Sequence, residues 1–241
     1  MNTNENAPRF TELSLRTAAM VAGVGLLLMA ILSPIALLNT YQNVFVPGDA
    51  QTTAENIMAL GNMFNIGISI FLIVAILDII VAWALYILFK PVNKSLSLLA
   101  AWFRLVYAPI FALALNHLFS ASQLLSGADY LKAFDANQLS AQAMLSISAF
   151  KNGWDIGLVI FGLHLLVLGY LAFQSGFIPK WLAVLLVVAS IGYIVDSFGK
   201  FLLPNYSISI AQFTFIGEAL LIFWLLWRGI KGFDKELAKR V

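Results

Sequence analysis

The chain has 241 residues, of which 61% are hydrophobic and 11% charged. Its mean hydropathy is +0.89. Soluble domains are about half apolar and about a quarter charged, so this chain lacks the polar surface to clothe a soluble globule, and that class is excluded. The absence of cysteine removes disulfides, thiolate metal sites and cysteine nucleophiles, and a net charge of +2 is too mild to point to nucleic acid.

Six apolar runs of ~20 residues would fill about half the chain, which suits one all-α membrane domain over residues 1–241. The polar start, with Asn2, Glu5, Arg9, Glu12 and Arg16, leads into a first run over 17–38. That run is long enough to span and lacks the short core and small-residue cleavage site of a signal peptide. Pro34 near its end is placed for a kink or an early stop. Val46-Pro47-Gly48-Asp49 is a turn, and Thr52-x-x-Glu55 has the pattern of a capping box, predicting a helix start near Thr53. From there the pattern runs to Phe89, roughly 55 Å of helix at 1.5 Å per residue. That is longer than a ~30 Å hydrocarbon core, so the helix either stands proud or bends near Gly61 or Gly67. The spanning part is taken as 66–89.

Lys90-Pro91-Val92-Asn93-Lys94 is a tight basic turn into a third span over 95–118. The fourth span covers 153–173, the fifth 181–201 after Ser175-Gly176-Phe177-Ile178-Pro179-Lys180, and the sixth 208–227 after Pro204-Asn205. Between spans three and four, Leu139, Ala143, Ile147 and Phe150 share one helical stripe, either as a surface helix or as an extension of span four. Residues 39–65 and 119–152 form an outer cap in this reading.

Arg9, Arg16, Lys90, Lys94, Lys180 and the basic residues of the tail from Arg228 onward fall on one side. Only Lys132, Lys151 and Lys200 fall on the other, so the positive-inside rule places both termini in the cytoplasm. Trp154, Trp181 and Trp227 lie at the expected interfaces. The tail, with Lys231, Lys235, Lys239 and Arg240, reads as a solvated anchor touching anionic lipid.

Several motifs carry a resemblance. Val46-Pro47-Gly48-Asp49, Leu85-Tyr86 with Lys90-Pro91-Val92-Asn93, and Arg104-Leu105-Val106-Tyr107 resemble a family of bacterial six-helix membrane proteins grouped as a domain of unknown function, DUF4386. Gly162-Leu163-His164, Leu168-Gly169-Tyr170, Ser175-Gly176 and Ile178-Pro179-Lys180-Trp181-Leu182 continue the likeness in order. The resemblance implies a six-helix fold and the bacterial inner membrane. It implies no activity.

Chemistry must therefore be sought among ionisable groups inside spans, each of which costs about 2.5–3.5 kcal/mol to insert. Counting along each span at 1.5 Å per residue places Asp78, Arg104, His164 and Glu218 in one layer near mid-membrane, each on a different helix. Two carboxylates against one certain cation leave a group able to titrate, which suits an intramembrane site that binds or moves a small molecule, ion or lipid. A purely structural or partner-binding ion pair is the alternative. The tight 90–94 turn brings Asp78 and Arg104 to similar depth and predicts that they pair.

Asn116, His117, Asp155 and Asp196 lie further out. Asp155, Gly162, Gly169 and Gly176 form a seven-residue stripe suited to close helix packing, and Lys200 at i+4 is the expected partner of Asp196. His117, Asp155 and Asp196 are the candidates for a metal-dependent hydrolase. With two histidines and no HExxH, that reading stays third, and no GxSxG supports a serine protease. No metal, cofactor or enzymatic activity is expected, and the bilayer is the expected partner.

Overall fold

The computed structural model describes residues 13–204 and 206–233. Arg9, Asn205 and the tail residues Lys235, Lys239 and Arg240 lie outside the described residues. The described chain is helical without a strand, and six of its helical segments are long and apolar enough to cross a membrane.

Helix α1 covers Leu15–Leu37 and starts at Ser14, whose side chain accepts the Thr17 amide. A π-helical turn, Leu38–Gln42, follows directly. Pro34 sits at this change of winding, as expected of a residue that removes a backbone donor. The π turn is sealed by the Thr40 hydroxyl, which donates to Ala36 O at 2.7 Å.

Helix α2 covers Ala50–Leu60 and helix α3 covers Asn62–Phe89. The long pattern predicted across this region is broken at Gly61, where φ is +53°, a conformation glycine adopts without penalty. The bend is thus at one of the two expected glycines, but the start differs from expectation. Asp49 caps α2, accepting from the Thr52 amide at 2.9 Å and the Thr52 hydroxyl at 2.6 Å. Glu55 takes no part in a capping box and accepts from Gln51 Nε2 instead.

Helix α4, Lys94–Leu124, is capped by Asn93 Oδ1 and outruns the predicted span at its far end. Helix α5 is one continuous rod over Ala136–Gln174. It opens with a reciprocal capping box in which Asp135 accepts the Gln138 amide and Gln138 Oε1 accepts the Asp135 amide. The stripe of Ala143, Ile147 and Phe150 is fully buried, and the first part of α5 packs against α2. The segment before span four is thus an extension of that span. At 39 residues, α5 is roughly 58 Å long. Helix α6 covers Lys180–Leu202. The last span is broken into α7, Ala211–Thr214, and α8, Ile216–Lys231.

Each span packs on the next in chain order: α1 on α3, α3 on α4, α4 on α5, α5 on α6 and α6 on α8. Helix α8 then returns to α1. The six spans form a closed up-and-down circuit. Its seam is fixed by Arg16, whose Nε and Nη2 donate to Gly229 O and Ile230 O, each at 2.9 Å. The glycine stripe of α5 faces α6: Ser190 Oγ donates to Gly162 O at 2.8 Å, and a Cβ on Gly169 would lie 2.8 Å from Val187. Trp181 and Trp227 are exposed on the outside. Trp154 is half-buried and meets the rings of Phe71, Phe111 and Phe150 edge-on or tilted.

Candidate functional site

Inside the circuit, all six spans send side chains to one place. Asp78 of α3 lies with Oδ1 2.7 Å from Nη2 of Arg104 on α4, and the two side chains are 1% and 2% exposed. Asp78 and Arg104 stand on antiparallel helices joined by a short turn, which brings them level. Arg104 Nη1 is 3.4 Å from His164 Nε2 on α5, and His164 Nδ1 is 2.8 Å from Ala100 O, one turn before Arg104. A carbonyl only accepts and a guanidinium only donates, so His164 carries its proton on Nδ1 and is a neutral imidazole. Its ring orients the arginine without adding charge.

The guanidinium has two further neighbours. Met29 of α1 offers its thioether 3.8 Å from Nη2, and the Phe161 ring of α5 sits 5.2 Å from Cζ. Phe161 is also the link to the other half of the circuit. Tyr193 of α6 meets it edge-on with centroids 5.5 Å apart, and the Tyr193 hydroxyl reaches the carboxyl group of Glu218 on α8.

The two halves differ in satisfaction. Beside His164 the packing is tight: the gap bordered by Leu85, Ser97 and Leu168 has no room for a water molecule. Both Asp78 oxygens and Arg104 Nε lack an aligned hydrogen bond, but they belong to groups neutralised by contact charge. Glu218 makes no contact ion pair with Arg104. Its Oε1 is inaccessible and has no hydrogen-bond partner, as are Thr214 Oγ1 one turn earlier and Ser197 Oγ on α6. The break at Phe215 puts Glu218 in the first turn of α8, at the positive end of that helix.

The outer candidates are not assembled into one site. Asn116 and His117 are exposed on α4. Asp155 is buried and grips two lysines: Lys151 Nζ at 2.6 and 2.7 Å, and Lys200 Nζ at 2.9 Å. Lys200 is therefore the partner of Asp155 across the α5–α6 contact and not of Asp196, as the i+4 spacing suggested. Asp196 instead receives the Tyr206 hydroxyl at 2.7 Å and the amides of Ile210 and Ala211 at 3.0 and 2.7 Å. It caps α7 from α6, and its hydrogen bond raises the pKa of the Tyr206 phenol above the ordinary value. Among the described residues no group of three His, Asp or Glu is placed to hold a metal, and His117, Asp155 and Asp196 do not converge.

Sequence reasoning did not find Met29, Phe161, Tyr193 or Lys151 as members of these sites. Met29, Phe161 and Tyr193 carry no charge and merge into the apolar pattern. Phe161 left a weak signal, standing three residues before His164 and so on its helical face.

Comparison with known proteins identifies the family. Residues 21–229 match the model of the domain of unknown function DUF4386. The chain belongs to that family. An uncharacterised protein of Archaeoglobus fulgidus is 40% identical over 164 residues, covering 68% of this chain and 83% of its own length. No solved structure matches the chain. Membership in DUF4386 accords with a multi-pass membrane protein and assigns no activity.

Proposed function

We propose that this DUF4386 protein is a single-domain, multi-pass protein of the bacterial cytoplasmic membrane, both termini cytoplasmic, that binds a proton or small cation at Glu218. Its role in this reading is binding or transfer and not covalent catalysis. The observation that carries it is the charge balance inside the circuit. Arg104 is already in contact with Asp78, and His164 is held neutral, so Glu218 is the one carboxylate of the four-residue cluster without a counter-charge. Its Oε1 is buried and without a protein partner, and a buried carboxylate must neutralise itself by taking up a proton or a cation. Thr214 on α7 and Ser197 on α6 likewise carry buried hydroxyls without partners. A structural role is the second reading, and the dry packing of Asp78, Arg104 and His164 favours it for that half alone.

Two measurements test this. In the full-length protein, a protonated-carboxyl stretch in the infrared, or a melting shift on adding sodium, potassium or ammonium, is expected in the wild type and lost in Glu218→Gln. Identical spectra and shifts in the two proteins would overturn the site. For orientation, cysteines replacing Asp49 and Asn137 should label from outside intact cells, and one replacing Lys94 should not. Labelling at position 94 would reverse the topology.

A further inference from the structure

A second binding site lies on the outside of the circuit. Helices α5 and α6 meet so closely at Gly169 that any larger residue would strike Val187 and Ala183 O. Around that contact the larger side chains stand apart and border a groove of about 550 Å³, open along one side of the bundle. Leu166, Tyr170 and Phe173 form one wall, Val184 and Val188 the other, and Leu96 of α4 closes it. Its lining is almost wholly apolar, and its volume is within the range of small-ligand sites.

The groove runs toward the end of the bundle that holds the α3–α4 and α5–α6 turns. Lys180, the first residue of α6, lies there with Nζ 5.2 Å from the ring of Phe173, a wall residue. Lys94, the first residue of α4, stands two residues before Leu96 and is exposed. These elements carry no acidic residue of their own: no Asp or Glu occurs between Asp78 and Asp129 or between Asp155 and Asp196. The one polar pair near the mouth, Gln174 Nε2 donating to Tyr170 Oη at 2.7 Å, is neutral.

We propose that this groove seats an acyl chain of an anionic phospholipid whose phosphate is held by Lys180 and Lys94. An acyl chain needs no hydrogen-bond partner and fits a lining that offers none, while lysines at the groove mouth extend to headgroup level. A second copy docked through the same face is disfavoured, since a two-fold contact would bring equivalent lysines together.

The test uses the full chain reconstituted with equal amounts of phosphatidylglycerol and phosphatidylcholine, then extracted mildly, with the retained lipid counted by native mass spectrometry. Wild type is expected to retain phosphatidylglycerol several-fold over phosphatidylcholine. The double variant K94Q/K180Q should return that ratio to the bulk value with its melting unchanged, and Val184→Trp should reduce retention of both lipids. Leu166→Trp on the opposite wall gives the same reading where Val184→Trp does not fold. Retained lipid that mirrors the bulk mixture in wild type, or enrichment that survives K94Q/K180Q, overturns the proposal. A groove-filling variant that turns a dimer into a monomer without changing lipid assigns the groove to a second copy instead.

Discussion

Two of the ion-paired sites among the described residues have nearly the same contact distances and different surroundings. Asp78 and Arg104 meet at 2.7 Å in the interior, each 2% exposed or less. Asp155 meets Lys151 and Lys200 at 2.6 and 2.9 Å, but those lysine side chains are 28% and 34% exposed. The interior pair has nowhere to go if broken, since neither group can reach water. The lysines of the other site can swing their long stems outward and recover hydration. Distance alone therefore says little about what an ion pair contributes; the escape route of each partner decides it.

The largest expected effect comes from breaking the interior pair. Asp78→Asn and Arg104→Gln should each destabilise the protein by about 3–5 kcal/mol, because each leaves an uncompensated charge in a dry interior. The double variant should recover part of the loss, read as coupling in a double-mutant cycle of melting in detergent. Strictly additive losses would mean that the contact carries no energy of its own. Added salt should leave the coupling unchanged, since buried pairs are little screened.

At the Asp155 site the expected losses are smaller and unequal. Asp155→Asn should cost about 1.5–3 kcal/mol, the range for hydrogen bonds to a charged group. Lys200→Met should cost no more than about 1 kcal/mol, since Lys151 remains on the carboxylate and the site is partly solvated. This loss should shrink in high salt. A Lys200→Met loss as large and as salt-insensitive as that of Arg104→Gln would erase the distinction between the sites.

A third fixture lies at the exposed end and is held by backbone carbonyls. Arg16 joins α1 to α8 through two backbone carbonyls, so Arg16→Gln removes charge-assisted bonds at a partly exposed seam. A loss of about 1 kcal/mol is expected. Faster hydrogen exchange should be confined to the start of α1 and the end of α8. Uniformly faster exchange across the bundle would mean that the seam controls global unfolding.

The same contrast explains what could be read from the sequence. The all-α architecture and the number of spans follow from composition and apolar run length. Asp78 and Arg104 could be paired in advance because the tight turn at 90–94 fixes the register of two antiparallel neighbours. The i+4 spacing on one helix points Lys200 to Asp196; its contact with Asp155 depends on how α5 crosses α6. The glycine stripe of α5 announced a close crossing but not its partner helix. Glu218 was placed by depth alone, whereas Tyr193 and Phe161, which tie it to Arg104, are uncharged and blend into their spans. The start of α2 was misread because Thr52-x-x-Glu55 fits a capping box as well as Asp49-x-x-Thr52 fits a simple cap, and the turn at Gly48 decides between them.

The smallest effect sharpens the comparison from the solvated extreme. Asp49 is an exposed carboxylate whose partners are the Thr52 hydroxyl and amide. These bonds hold its pKa below the ordinary 3.8, the hydroxyl contributing most. A depressed folded-state pKa means that the stabilisation is present above pH 3.8, where the unfolded carboxyl is already ionised. It is lost as pH falls through the lower folded-state value. Because the cap serves only α2, the loss should be local, seen as easier opening of residues 50–60 in hydrogen exchange corrected for the intrinsic pH dependence. Asp49→Asn keeps an acceptor suited to the cap position but cannot titrate, so α2 in that variant should not respond to acid. Asp49→Ala should open more readily at every pH. An acid response of α2 that persists in Asp49→Asn would locate the titrating group elsewhere and remove Asp49 as the solvated counterpart of the interior pair.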